Sequence, residues 1–166
     1  MSRTDLILYE EEYQKIHDAI TRLRRDANAL SVYMIEKSGQ PLASAGETAE
    51  VDATALASLA AGNVAATEGL ASLVSEKEFS SLFLEGERQN ILITLVAGKA
   101  VLLVLFNETS SLGLVRLRVR RATTELATIL EAVGKKSAAS VAAMGSGQEA
   151  PFIEITDDDI DKLFAD

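Results

Sequence analysis

The stretch "NILITLVAGKAVLLVLFN" (residues 90–107) decides the fold. Two apolar runs flank Gly98-Lys99, which is the pattern of two β-strands joined by a tight hairpin turn. In the second run, from Val101 to Phe106, both alternating sets of side chains are apolar. A strand of that composition is typically buried on both faces, so the sequence predicts that it lies at the centre of a sheet.

Further strands and helices are predicted outward from this hairpin. Three strands precede it along the chain: "LSVYMIE" (30–36), "QPLASAG" (40–46) and "SSLFLEGE" (80–87). The first two form a hairpin through Ser38-Gly39, and Pro41 places the second near a strand start or at a sheet edge. Helical spacing of apolar residues predicts three helices, over residues 8–26, from Asp52 or Thr54 to Val74, and from Leu112 to Val133. The predicted fold is α+β, or mixed α/β: a sandwich in the order helix, two strands, helix, three strands, helix, with a five-stranded sheet.

A linker and a short terminal helix are predicted beyond the sandwich. Residues 134–154 are mostly small and polar without a sustained apolar period, which is typical of a flexible linker. The last segment has Thr156 as an N-cap and Ile160, Leu163 and Phe164 on one helical face. Ile155 precedes the cap and can contact Ile160 as a hydrophobic staple. A helix this short is marginal alone in water, so it needs a surface, either on a partner or on its own domain. The predicted organisation is a domain over 1–133, a linker over 134–154, and a C-terminal amphipathic helix over 155–166.

Composition excludes several classes of protein. The chain has 166 residues, a formal net charge of −9 and no cysteine, which excludes disulfides and thiolate metal sites. The negative charge disfavours nucleic acid as the main partner. The amino terminus lacks a signal-peptide apolar stretch, and polar residues interrupt the apolar helix over 52–74, so neither export nor membrane insertion is expected. The cytoplasm is the expected compartment.

No active site is evident in the sequence. His17 lies on the charged first helix without a cysteine to complete a common metal site, so it is interpreted as solvated. No serine lies in a G-x-S-x-G pattern, and the G-x-G at residues 145–147 lacks the lysine of a P-loop. Glu10, Glu11 and Glu12 fit the dipole of a helix N-terminus better than acid–base catalysis. We therefore expect no catalytic residue, no metal and no cofactor, with an unconventional enzyme as the less favoured alternative.

Two seams of the second predicted helix differ in residue size. Larger apolar residues, with one alanine, follow a helical spacing that favours packing on the sheet: Leu56, Leu59, Ala66, Leu70 and Leu73. A second seam contains only small residues: Ser58, Gly62, Ala65, Gly69 and Ser72. Interior glycines weaken a helix, so their presence favours close approach by another element. That element is either a second copy of this helix, which makes the seam a dimer interface, or another part of the same subunit.

The third predicted helix carries Arg116, Arg118, Arg120 and Arg121 on its polar faces. These arginines have three interpretations: a solvated helix face, a docking surface for an acidic protein, or a nucleic-acid patch. No aromatic residue interleaves with them for base stacking, which disfavours nucleic acid.

Four stretches carry a resemblance to a known family: "LYEEEYQKI" (8–16), "LASLAAGNVAATEGLASL" (56–73), "SLGLVRLRVRRATTEL" (111–126) and "ITDDDIDKLF" (155–164). With the order of elements, they make the chain similar to the Roadblock/LC7 family, and especially to its bacterial members that regulate a small Ras-like GTPase of the MglA type. The resemblance implies a homodimer in which the second helices pair and the sheets join edge to edge.

The resemblance also implies a function. Such a dimer binds the GTP-bound GTPase and activates hydrolysis by rearranging the GTPase's own switch regions, without an arginine finger. The GTPase-binding residues implied by the resemblance are Gln14, Lys15, Ala65 and Gly69. Arg116 and Arg120, from the docking-surface interpretation of the arginines, are predicted to bind the GTPase as well. The C-terminal helix is expected to dock on the GTPase and to aid nucleotide exchange. The implied role is in cell polarity and gliding motility, with a cell pole as a candidate location; the alternative is a Roadblock scaffold that binds partners without stimulating hydrolysis.

Overall fold

The computed structural model describes residues 10–145. The helices are α1 (Glu10–Asp26), α2 (Ala53–Leu73) and α3 (Leu112–Gly145). The strands are β1 (Ser31–Glu36), β2 (Pro41–Gly46), β3 (Ser81–Glu85), β4 (Asn90–Val96) and β5 (Ala100–Phe106). The predicted α+β sandwich and its order of elements are confirmed.

The strands form one antiparallel sheet in the order β2-β1-β5-β4-β3. The central position of β5 is confirmed, and its residues Ala100 to Val104 are all buried. Pro41 begins β2, which is an edge strand of the sheet. Proline has no backbone N–H to donate, and this is tolerated at a strand start and at a sheet edge, where fewer inter-strand hydrogen bonds are required.

Helices cover the sheet unequally on its two faces. Alternate β5 side chains point to opposite faces. Leu102, Val104 and Phe106 belong to the core cluster formed with α1 and α3. Val101 and Leu103 belong to the smaller cluster formed with α2. One face of the sheet is therefore covered by two helices and the other by a single helix.

The third helix is longer than the sequence predicts. Residues 134–154 were expected to form a linker, but α3 continues to Gly145. Alanine has the highest helix propensity and occupies positions 138, 139, 142 and 143, and no proline lies between Leu112 and Pro151. Residues 138–143 are all exposed. This part of α3 is therefore helical without an apolar face packed on the domain. Three predicted parts lie outside the described residues: the rest of the linker, the C-terminal helix, and residues 8–9 of the first helix.

The extension of α3 makes a contact with the start of α1. The Lys136 ammonium donates a hydrogen bond to Oε1 of Glu12, whose side chain is buried. This hydrogen bond lowers the pKa of the Glu12 carboxyl, against the opposing effect of burial. Glu10 and Glu11 are exposed, as expected for residues that complement the helix dipole. Of the three glutamates, Glu12 therefore has a structural role that sequence patterns did not reveal.

The two helices run antiparallel. Glu12 near the start of α1 contacts Lys136 in the last third of α3, while Arg22 near the end of α1 pairs with Glu125 at 2.9 Å, Nη1 to Oε2. Residue numbers therefore increase along α1 in the direction in which they decrease along the adjacent α3.

The Glu12–Lys136 pair predicts a specific pH dependence of stability. A carboxyl with a lowered pKa in the folded state stabilises the protein above its unfolded-state pKa, and this contribution is lost as pH falls through the folded-state pKa. In Lys136→Met, burial without the partner raises the Glu12 pKa, so that contribution disappears. Urea unfolding measured from about pH 3 to 7 should show the variant less stable at neutral pH and less sensitive to acid. Lys135→Met is the matched control on an exposed neighbour, and equal pH profiles for the two variants would contradict the assignment.

Candidate protein-binding surface

Helix α2 packs on the sheet through alanines. Its buried residues are Ala57, Ala60, Val64 and Ala71. The prediction that the larger apolar seam faces the sheet is wrong: Leu59, Leu70 and Leu73 are 70%, 58% and 83% exposed. Ala66 is also exposed, whereas Leu56 is half-buried and packs against the sheet as predicted.

The size of the sheet's own side chains explains this orientation. Tyr33, Ile35 and Leu103 already fill the space beneath α2. Small helix side chains allow α2 to approach a surface of that kind closely, whereas a row of leucines would hold it away.

Three polar or turn features hold α2 in place. The Asp52 side chain caps its N-terminus by accepting a hydrogen bond from the backbone N–H of Ala55 at 3.1 Å. Glu68, the only charged residue within α2, pairs with Lys37 of the β1–β2 turn at 2.6 Å, Oε1 to Nζ. Gly39 in the same turn has a φ of +100°, and a Cβ built there would lie 3.5 Å from Cα of Ser58. The β1–β2 turn therefore packs directly against the middle of the helix.

The small-residue seam is open to solvent. Its five members, Ser58, Gly62, Ala65, Gly69 and Ser72, are all exposed. Within the described chain, no atom beyond the local backbone lies within 4 Å of a Cβ built at Gly62 or Gly69. Close packing within the described part of the subunit therefore does not explain these glycines, and the dimer-interface assignment stays a prediction.

The exposed leucines and the small-residue seam lie side by side. At 100° per residue, the direction of Gly62 is about 60° from that of Leu59 around the helix axis. Both seams face away from the buried alanines. The solvent side of α2 is thus a continuous surface of apolar and small residues, with Glu68 as its charged neighbour.

The apolar surface continues onto the sheet. Beyond the end of α2, Val74 and Phe79 are 61% and 42% exposed, and Leu84 on β3 is 40% exposed. A shallow groove between α2 and β3–β4 is lined by Val64, Phe79, Leu82 and Leu95 among others. Within the described residues no strand pairs with the outer edge of β3. Exposed apolar patches of this kind are typical of binding sites, including those for other proteins or for further copies of the same chain.

The predicted GTPase-binding residues lie at three places in one chain. Ala65 and Gly69 lie on α2, on the opposite face of the sheet from α1 and α3. Gln14 and Lys15 lie near the start of α1, whereas Arg116 and Arg120 lie near the start of α3. Because α1 and α3 are antiparallel, these two pairs are separated by roughly 25 Å along the helices.

All six of these residues are exposed, and two have a local partner. The amide Nε2 of Gln14 donates to Oδ1 of Asp18 at 2.9 Å, and Lys15 pairs with Glu11 at 3.1 Å. Both contacts join residues one helical turn apart, which leaves the side chains accessible to a partner.

Other binding classes receive no support from residues 10–145. His17 stacks on Tyr13 with 6.2 Å between ring centroids. Within that range no cluster of three or more His, Cys, Asp or Glu side chains could hold a metal ion. None of the helices in the described part is both long and apolar enough to span a membrane.

Comparisons with known proteins agree with this architecture. The family model described as the Roadblock/LC7 domain matches residues 15–106. The structure of MglB from Myxococcus xanthus is 48% identical in sequence, with a TM-score of 0.73 over 76% of this chain and 96% of that chain. The gliding protein MglB from Thermus thermophilus is 32% identical, with a TM-score of 0.73 over 78% and 98% of the two chains. A structure described as MglB with a tetrameric arrangement is 32% identical, with a TM-score of 0.74 over 80% and 99%. Among curated protein sequences there is no significant match.

The open space at Gly69 makes the dimer interface testable. In Gly69→Arg a long charged side chain enters solvent in the single chain and is favoured over glycine in a helix by about 0.8 kcal/mol, so the fold is retained. In a pair of closely approaching helices the same side chain clashes. We expect sedimentation equilibrium to show a dimer for the wild type and a monomer for Gly69→Arg, with unchanged circular dichroism.

The matched control is Gly113→Arg on α3, where the described chain also leaves the position of a Cβ open. That variant should remain dimeric. A dimeric Gly69→Arg protein would exclude the small-residue seam as the interface.

Proposed function

The chain belongs to the Roadblock/LC7 domain family, and on this premise we propose that it is a homodimeric activator of a small Ras-like bacterial GTPase of the MglA type. The observation that carries the proposal is the likeness to MglB over nearly the whole of the matched MglB chain. The exposed apolar surface of α2 and β3 supports it, because that surface needs a protein partner.

The two edges of the sheet differ in their ability to pair with a second copy. Pro41 removes one backbone donor from β2, whereas Ser81–Glu85 of β3 contains no proline. An edge strand with a complete set of donors and acceptors is a template for another strand. We therefore assign β3 to the edge-to-edge contact of the sheets, beside the paired α2 helices.

A regulator without catalytic groups can accelerate hydrolysis through binding alone. GTP hydrolysis requires a positioned water and stabilisation of charge on the transferring phosphoryl group. A surface that binds only the competent switch conformation raises the population of that conformation. The proposed mechanism is therefore a rearrangement of the GTPase switch regions, in which Arg116 and Arg120 contribute affinity and not catalysis.

The dimer also gives a reason for the scattered positions of the proposed contacts. In one chain the sheet separates Gln14 and Lys15 from Ala65 and Gly69. A single GTPase meets both sets most simply when one chain contributes the α1 residues and its partner contributes the α2 residues. Near the dimer axis, Ala65 and Gly69 would then serve both the pairing of the helices and the contact with the GTPase.

We also propose that residues 155–166, the tail, dock on the GTPase away from its nucleotide and aid nucleotide exchange. The regulator acts in the cytoplasm, at a cell pole, in polarity and gliding motility.

A phosphate-release assay tests the central proposal. Adding the purified chain to the GTP-loaded MglA-type GTPase of the same genome should accelerate phosphate release severalfold. In Arg116→Gln/Arg120→Gln the concentration needed for half-maximal activation should rise while the maximal rate is retained. Loss of an arginine finger would instead lower the maximal rate by about 10³- to 10⁵-fold.

Arg88→Gln serves as the control for loss of one exposed positive charge elsewhere. A chain that binds the GTPase without raising phosphate release at any concentration would identify a scaffold and overturn the proposed activation.

Substitutions in the tail test its separate role. Ile160→Ser/Phe164→Ser removes apolar surface from the predicted docking helix, so release of nucleotide from the GTPase should become slower. Ala165→Ser is the control in the same segment. Unchanged nucleotide release, measured with a fluorescent nucleotide, would remove exchange from the function while leaving activation of hydrolysis untouched.

A further inference from the structure

The start of α3 presents a basic face that lacks acidic partners. The arginine face consists of Arg116, Leu117, Arg120 and Arg121, all exposed, with Leu117 at 53%. Among residues 10–145 no carboxylate pairs with any of these three arginines. Arginines elsewhere in the protein differ in this respect, since Arg22 pairs with Glu125 at 2.9 Å and Arg25 with Asp26 at 3.3 Å.

The arrangement within this face is specific. At 100° per residue, Leu117 points directly away from the buried side of α3, marked by Val115 and Val119. Arg116 and Arg120 lie on one side of Leu117, and Arg121 lies on the other. The face is therefore an apolar centre flanked by guanidinium groups, which fits an apolar ridge flanked by carboxylates.

The chain's own last segment has the complementary pattern. In the helix predicted over 155–166, Ile160, Leu163 and Phe164 form one ridge. Asp159 lies on one side of that ridge, and Asp157 and Asp161 lie on the other. Both flanks of the ridge thus carry the charge opposite to that of the arginine face.

Chain length favours a second copy as the source of the segment. Twenty-four residue steps separate Arg121 from Gly145 along α3, a distance of about 36 Å at 1.5 Å per residue. Residues 146–156 span at most about 40 Å when fully extended. A coil of that length has an average end-to-end distance of only about 18 Å. If residues 155–166 returned to the arginine face of their own chain, residues 146–156 would have to be almost fully extended. Binding to the arginine face of another copy does not require this extension.

We propose that the arginine face of α3 binds residues 155–166 of a second copy of this chain. The contact buries Leu117 against the apolar ridge and pairs the arginines with aspartates on both flanks. Each of these ion pairs is exposed and weak alone, so the contact is reversible and weakens with salt. If the GTPase also uses Arg116 and Arg120, which rests on the proposed function, docking of this segment and binding of the GTPase exclude each other.

Paramagnetic broadening between two copies tests the proposal without any GTPase. The chain has no cysteine, so a nitroxide attached at Ala165→Cys is the sole label. Spin-labelled chains of natural isotope content are mixed with ¹⁵N-labelled chains that carry no nitroxide, and amide intensities are recorded in low and high salt. We expect intensity losses at the amides around Arg116, Leu117 and Arg120, and recovery of intensity in high salt.

Two variants of the ¹⁵N chain give the assignment its control. Arg116→Gln/Arg120→Gln/Arg121→Gln should retain the fold, because these residues are exposed, and should lose the broadening. Arg88→Gln, exposed in the β3–β4 turn, should keep it.

A charge reversal tests whether the arginines of α3 pair with the aspartates of residues 155–166. A chain with Arg116→Glu/Arg120→Glu and a spin-labelled chain with Asp157→Lys/Asp161→Lys should each fail to pair with wild type and should pair with each other. Absence of broadening in the wild-type mixture, or its persistence in the triple glutamine variant, would overturn the proposal. Broadening seen only when nitroxide and ¹⁵N share one chain would overturn it as well, by showing that the segment returns to its own α3.

Discussion

Burial of β5 on both faces is the constraint on which the rest of the structure depends. A strand with apolar side chains in both directions cannot lie at an edge or leave either face uncovered. The antiparallel sheet meets this requirement by placing β1 and β4 beside it and helices above and below. Two helices cover one face of the sheet and a single helix covers the other. The face with a single helix is therefore the one that is less completely covered. The exposed leucines of α2 and the exposed Leu84 of β3 occur on that side.

The orientation of α2 follows from the same shortage. One helix has to cover a face already filled by Tyr33, Ile35 and Leu103, and only a close approach avoids voids beneath it. Alanines permit that approach, so the larger leucines point to solvent. In a chain that acts alone this would be an unfavourable distribution of apolar surface. In a chain whose second copy covers α2, the same leucines and glycines belong to an interior.

Periodicity revealed the elements but not which surface each one buries. Alternation and helical spacing were sufficient for the five strands, for the central place of β5, and for the beginnings of α2 and α3. They failed for the buried face of α2, because hydrophobic size predicts burial only when the opposing surface has room. They failed again beyond Val133, since the exposed extension of α3 relies on alanine propensity and has no apolar stripe. The role of Glu12 depends on Lys136, more than a hundred residues away, and no local pattern contains such a pair.

The distribution of charge separates the two sides of the molecule. Helix α2 contains a single charged residue, Glu68, and it is paired with Lys37. On the α1–α3 side, ion pairs such as Arg22–Glu125 and Glu12–Lys136 join the two helices, while the arginine face at the start of α3 has no such partner within the described chain. Burial of apolar surface needs no opposite charge on the partner and is not weakened by the screening of charges in salt, so it suits a partner that remains bound. Exposed ion pairs suit partners that exchange, because each contributes little and is screened by salt. The α2 side therefore has the physical properties that the proposed contact between copies requires, and the start of α3 has those that the proposed exchange of acidic partners requires.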